Sequence, residues 1–202
     1  FYCTYLTYSK GKQKPREEIS DLINEARMLG IEIKKPDISI SKSDFYFVDE
    51  NGKKSIYFGL SHIKQVGEND AACIENTRPS SFYELLRMHF DASEDNKIRG
   101  QAVESLINSG ACDNYGISRS TMNSIFLMLK ELTKKEIEFI FHKKTFNSIK
   151  DLIDCVYECG DKQSVKGRKE IVKSEAKAID IKAIDSSPIL ASKEKDLMGF
   201  SF

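Results

Sequence analysis

The stretch Gly59-Leu60-Ser61-His62-Ile63-Lys64-Gln65-Val66-Gly67-Glu68-Asn69-Asp70-Ala71-Ala72 constrains the fold of this chain more than any other. Leu60, Ile63 and Val66 keep helical spacing as far as Gly67, and helix-forming residues resume behind it, which predicts a second helix over Asn69–Asn76. A short helix, a tight apolar-and-glycine turn and a second helix together have the grammar of a helix-hairpin-helix. The physical use of such a turn is to expose backbone amides at a helix N-terminus, where unpaired N–H groups and aligned peptide dipoles favour a phosphate whatever the base sequence. Lys64 would add charge there and Asn69 a side-chain donor, with Gln65 and Gly67 in the turn and Val66 packing inward. Against this, Glu68 and Asp70 put negative charge beside the proposed phosphate, and a plain helical turn explains the same residues about as well.

The surrounding pattern is mainly helical. Ile19, Leu22, Ile23, Ala26 and Leu29 form an apolar stripe behind Pro15, Glu17 and Glu18, closed by Gly30. Further helices are expected from Ser80 through Met88, over Asn96–Asn108, and from Ser118 with Met122, Ile125, Phe126 and Leu129 inward. Beyond Leu132, Lys134–Ile140 and Phe146–Tyr157 read as helical, while Asp161–Lys177 is so charged that it reads as a linker or a poorly packed helix. Residues 178–202 are expected to pack on something outside the chain. Phe1–Tyr8 reads as the tail of a helix, and the connector carrying Lys10, Lys12, Lys14 and Arg16 as a solvated loop in preference to a phosphate clamp. The one β signal is Asn51-Gly52 between Phe45–Val48 and Ser55–Phe58, a hairpin turn needing positive φ, after an alternating segment Ile31–Ile40. The expected class is therefore mainly α with a small β-hairpin, α+β.

A second glycine turn, Ser109-Gly110-Ala111-Cys112-Asp113, precedes the helix that begins near Arg119. Two successive hairpins could grip both strands of a duplex, making Gly110, Ala111 and Arg119 second-choice contacts. Ordinary helix capping by Gly110 is the better reading of the segment by itself.

Charge excludes a global mechanism of binding. Lys plus Arg number 31, as do Asp plus Glu, so any attraction to phosphate has to be local. Five irregularly spaced cysteines without a signal peptide imply reduced thiols, and no apolar run has membrane-spanning length, which predicts a soluble, cytoplasmic protein. Cys155 and Cys159 with His142 have a poor spacing for zinc, and half-buried helix thiols are the preferred reading. No phosphate loop, nucleophile elbow or paired carboxylates were found, so no catalytic residue is assigned. Phe1 in place of a methionine, and an ending on apolar residues, are read as cuts through a longer polypeptide.

Several strings, in colinear order, resemble the alpha subunit of bacterial DNA polymerase III, a C-family replicative polymerase. They are Leu29-Gly30-Ile31 with Pro36-Asp37-Ile38, then Phe58-Gly59-Leu60 with Ile63-Lys64-Gln65-Val66-Gly67. Leu106-Ile107-Asn108-Ser109-Gly110-Ala111-Cys112-Asp113 and Glu194-Lys195-Asp196-Leu197-Met198-Gly199-Phe200 follow. Gln65 stands where that family's turn usually has glycine, and residues 132–190 match least.

The resemblance implies a DNA-directed DNA polymerase (a nucleotidyltransferase) as the parent, whose palm aspartates and Mg2+ would lie before Phe1, so that this segment has no cofactor and does not polymerise. It implies an end of the fingers over 1–58, a helix-hairpin-helix region over 59–132 and a connector toward a C-terminal barrel over 133–202. Expected partners are primer-template double-stranded DNA and the remaining polymerase domains. The sliding clamp is a further one that the family allows, although Ile137-Glu138-Phe139-Ile140-Phe141 and Met122-Asn123-Ser124-Ile125-Phe126 lack its glutamine and read as helix core. The function expected is non-catalytic, sequence-independent duplex binding. The alternative is a helical protein-interaction module with little DNA affinity, which salt dependence would separate from the first.

Overall fold

The computed structural model describes all residues except Asn51, 92–95, 144–145 and 164–165, and of Glu50, His142, Lys143 and Lys166 the backbone alone. The mainly helical class with a small sheet holds. Helix α1 (Tyr2–Tyr8) leads through a 3-10 turn (Ser9–Gly11) into α2 (Pro15–Met28). Pro15 sits in the first turn of α2 with Glu17 and Glu18, Arg27 lies in the last, and Ile19, Ile23 and Ala26 are buried. This agrees with dipole and capping chemistry. Gly30 closes α2 at φ +77° while the Ile31 N–H donates to the Ala26 carbonyl (3.0 Å), a left-handed cap.

Strands β1 (Glu32–Lys34), β2 (Tyr46–Glu50) and β3 (Lys53–Tyr57) form a sheet in the order β1-β3-β2. The expected hairpin is β2–β3, antiparallel, with Tyr46 opposite Tyr57. Gly52 turns it at φ +86°, its N–H donating to Asp49 Oδ1 (3.0 Å); Asn51, the other residue of the expected turn, lies outside the described residues. The alternating segment after Gly30 adds a third strand, β1, parallel to β3 with Ile33 beside Ile56. Pro36 follows two residues after it, and a proline has no N–H to extend the ladder.

After β3 the chain passes Phe58, which is fully buried against Phe45 (ring centroids 4.7 Å), and Gly59. A Cβ on Gly59 would stand 2.6 Å from the backbone at Asp44 and Phe45, so this close approach requires glycine. The helix expected from Leu60 is only a 3-10 turn, Leu60–His62. Its Leu60 and Ser61 amides donate to Lys42 and Ser43 carbonyls of the segment before β2 (2.9 and 3.0 Å), which ties the turn to the sheet. Ile63 is extended, and Val66 N–H donates back to the Ile63 carbonyl (3.0 Å) across a turn in which Gln65 has φ +70°.

Helix α3 (Glu68–Thr77) and α4 (Phe82–Phe90), N-capped by Ser81, come next. Helix α5 (Gly100–Asn108) starts four residues later than its apolar spacing suggests, because Arg99 is held in extended conformation by Asp70, which accepts its backbone N–H (3.0 Å). Ser118 caps α6 (Arg119–Lys130) by accepting the Thr121 N–H (3.1 Å). Helices α7 (Lys134–Lys143) and α8 (Ile149–Asp161) continue the bundle.

The C-terminal part departs most from expectation. The charged stretch is helix α9 (Lys166–Lys177), packed on α8 through Val172 and Ala176, which are buried. Arg168 donates to Glu136 of α7 (2.9 Å), and Lys169 pairs with Asp161 of α8 (3.1 Å), so charge here joins helices. Residues 178–202 fold back onto this chain. Helix α10 (Ser187–Met198) lies against α5, Phe200 reaches Phe58 (5.7 Å), and the Leu197 carbonyl accepts the Lys64 N–H (3.0 Å). Met198 and Phe200 are buried, which their isolated apolar clusters could not reveal.

Candidate nucleic-acid interface

The turn before α3 is built by its neighbours. Val66 is buried and anchors it, Gly67 is the N-cap in extended conformation, and Lys64, Gln65, Glu68 and Asn69 face solvent. Ala71 N–H, donating to Gly67 (2.9 Å), closes the first bond of the helical ladder, so the amides of Glu68, Asn69 and Asp70 have no acceptor within the helix. Beside them opens a groove of about 890 Å³, lined by Lys10, Asn69, Asn76, Asn96, Lys97 and Arg99 among others. The five first-choice residues are thus brought together, in two roles. Lys64 and Asn69 present side chains and Gln65 is exposed, whereas Val66 and Gly67 shape the turn, since their amides are already donated to Ile63 O and to Asp70 Oδ2 (3.1 Å).

Asp70 is the organising carboxylate. Its side chain is 5% exposed, and besides Gly67 it accepts the Arg99 Nε (2.9 Å) and NH2 (2.7 Å). The paired carboxylate holds the Arg99 guanidinium above the usual arginine value. Arg99 NH2 also donates to the Gln65 carbonyl (3.2 Å), so one arginine ties the turn to the start of α5. Glu68 pairs instead with Lys10, carried in from the 3-10 turn after α1 (3.0 Å), and that lysine holds the Glu68 carboxyl below the usual range.

Gln65 deserves its φ of +70° only through context. Left-handed backbone disfavours a residue with a Cβ, which is the physical reason a glycine suits this position.

At the second turn Gly110, Ala111 and Arg119, the second-choice contacts, are buried in place of facing solvent. Arg119 is 5% exposed and makes a two-pronged bond to Asp113 (2.8 Å each), an ion pair with Glu194 of α10 (2.9 Å) and a bond to the Asn108 carbonyl (3.1 Å). Burial alone would pull this guanidinium down, but the two carboxylates reverse the effect and raise it. Ala111 is buried, its N–H donated to Leu106 (3.1 Å) and its carbonyl accepting Ile38 N–H (2.8 Å). Gly110 has φ +85°, and a Cβ there would meet Arg119 NH2 at 2.2 Å. It follows the C-cap of α5 in left-handed conformation, as ordinary helix capping requires, and makes room for the buried arginine.

Sequence reasoning missed Asn76, Asn96, Lys97 and Arg99 of the groove, because they come from the far end of α3 and from the loop before α5, too scattered to register as a motif. Lys10 did carry a signal, as part of the basic connector set aside as a solvated loop. The two strings considered for the clamp place Ile140, Phe141, Met122, Ile125 and Phe126 in the core. Cys155 and Cys159 are buried on α8; no group of three metal-binding side chains occurs among the described residues, and the His142 side chain lies outside them.

A sequence-family profile described as a helix-hairpin-helix motif matches residues 30–122, which enclose both turns. The alpha subunit of DNA polymerase III from Helicobacter pylori is 28% identical over 84% of this chain. That of Aquifex aeolicus is 36% identical over 56% of it, and that of Buchnera aphidicola 35% identical over 52%. The chain is a homologue of the DNA polymerase III alpha subunit. It spans 17% of the length of the Helicobacter pylori alpha subunit and 9% of the other two.

Proposed function

We propose that this alpha-subunit segment is a non-catalytic, sequence-independent holder of duplex DNA within a bacterial-type replicative polymerase. The observation that carries it is the solvent-facing turn at Lys64–Asn69, opening the amides of α3 onto a groove flanked by Lys10, Lys97 and Arg99. Lys64, Gln65 and Asn69 are the proposed contacts to phosphate, with Val66 and Gly67 shaping the turn. Cations and backbone amides of this kind address the sugar-phosphate backbone and leave the bases unread.

Under this proposal residues 1–58 correspond to the end of the fingers, 59–132 to the helix-hairpin-helix region and 133–202 to the connector. The partners are primer-template DNA and the other polymerase domains in the cytoplasm, with the sliding clamp as a further partner of the parent. Nucleotidyl transfer and its Mg2+ belong to other parts of that parent. No helix among the described residues is long and apolar enough to cross a membrane.

One observation favours a second reading, a helical protein-interaction module. Glu68 and Asp70 already engage the flanking cations Lys10 and Arg99, leaving the local field close to neutral. Fluorescence-anisotropy titration of a primer-template duplex separates the two. Phosphate contacts give an affinity that falls steeply with salt, and Lys64→Ala should weaken binding at every sequence tested while lowering the log–log salt slope by about 1. Absence of binding at low salt, or binding with no salt slope, would sink the DNA-holding reading and leave the interaction module.

A further inference from the structure

The two acidic residues in the first turn of α3 differ in a way that decides which neighbouring cation a phosphate can claim. Asp70 is almost wholly buried and accepts bonds from the Gly67 amide, the Arg99 amide and the Arg99 guanidinium. Moving the Arg99 guanidinium away would leave a buried carboxylate with only two amide donors, so that pair is the costlier of the two to break. Glu68 makes one bond, to Lys10 Nζ at 3.0 Å, and the pair is open to water, with side-chain exposures of 77% and 41%. An ion pair so placed is weak and easily exchanged.

Lys10 lies on the same groove as Asn69, Lys97 and Arg99, and it also lines the smaller pocket on the other side of the turn with Arg16 and Lys64. It therefore stands where the two flanks of the hairpin meet, at the tip of the 3-10 turn Ser9–Gly11, a segment remote from the hairpin in sequence.

We propose that Lys10 is a phosphate ligand of this surface held in reserve by Glu68, whose carboxylate occupies it in the free protein and gives it up when a phosphodiester arrives. Glu68 acts as an internal competitor: it stands at the start of α3, where helix amides favour an anion, and mimics the ligand that replaces it. The α1–α2 connector thereby joins the hairpin in one backbone-binding surface, and Glu68 sets its affinity. This rests on the duplex-holding reading above. It goes further in naming a residue whose loss strengthens binding.

The test is duplex binding by anisotropy across a salt series for the whole chain and for Glu68→Gln, Lys10→Ala and the double variant. Glu17→Gln serves as control, because Glu17 pairs with Lys14 at the start of α2 (2.9 Å) and its loss changes net charge equally. Glu68→Gln should bind about two- to fivefold more tightly than the wild type, the scale of an exposed ion pair, and steepen the salt slope by about 1. Lys10→Ala in the Glu68→Gln background should abolish the gain, and Glu17→Gln should show none. A gain that survives Lys10→Ala, one matched by Glu17→Gln, or none at all would overturn the exchange while leaving duplex binding standing. If neither wild type nor Glu68→Gln binds at low salt, the duplex-holding reading and this inference both fall.

Discussion

Replacing Arg119 by methionine keeps most of the side-chain volume and removes the one cation that Asp113 and Glu194 share. Glu194 would remain with a side chain only 9% exposed, retaining the Phe202 N–H (3.0 Å) as a bonded donor. Asp113 is better placed, being 27% exposed and also paired with Lys35 (3.0 Å). Breaking a buried pair by removing one partner typically destabilises by about 3–5 kcal/mol, and the partial relief of Asp113 points to the lower end, about 3 kcal/mol. In a domain of this size, that is a fall in Tm of roughly 6–12 °C.

Urea and thermal unfolding followed by circular dichroism would measure it, beside Arg119→Met combined with Glu194→Gln. The double variant should recover part of the loss, since no carboxylate is then stranded on α10. The duplex affinity of the folded variant should match the wild type. A loss below about 1 kcal/mol, or a selective fall in DNA affinity at unchanged stability, would refute the assignment of Arg119 to the internal framework.

Gln65→Gly should stabilise by about 0.5–1 kcal/mol, the relief of a left-handed residue less the added freedom of glycine in the unfolded chain; unfolding midpoints would show it, and a lower midpoint would contradict the strain argument. Gly59→Ala should destabilise by about 3 kcal/mol or more, because the new Cβ meets backbone at 2.6 Å and backbone cannot rotate away; a variant as stable as wild type in urea would exclude that close approach. His62 and His89 are both pushed below their ordinary value of 6.5, chiefly by burial. The folded state thus binds fewer protons than the unfolded one below pH 6.5, so their stabilisation is present above that value and lost as pH falls through the folded pKa values. Stability measured from pH 7.5 to 5 should fall on the acid side, and His89→Gln should flatten the fall; an unchanged profile would remove His89 from the account.

Much of the local structure was legible in residue order alone. The stripe of α2 with Pro15 and Gly30, the Ser81 and Ser118 caps, and the turn at Gly52 follow from short-range sterics and hydrogen bonding, which neighbouring residues settle among themselves. So does the hairpin turn, because the pattern from Ile63 to Gly67 carries its own reversal. Tertiary contact decided the rest. The helix expected from Leu60 shrank to a single 3-10 turn bonded to the Lys42–Ser43 backbone, and α5 waited for Gly100 because Asp70 holds Arg99 extended. Arg119 was legible as a cation at a helix start, but its fate depended on Glu194, 75 positions away. A residue's charge and spacing are written locally. Whether that charge meets solvent, a phosphate or a buried carboxylate depends on which distant segment folds over it, and here the C-terminal helix buried Arg119 of the second turn but, at the first, took only the Lys64 N–H and left the side chains of Lys64, Gln65, Glu68 and Asn69 exposed.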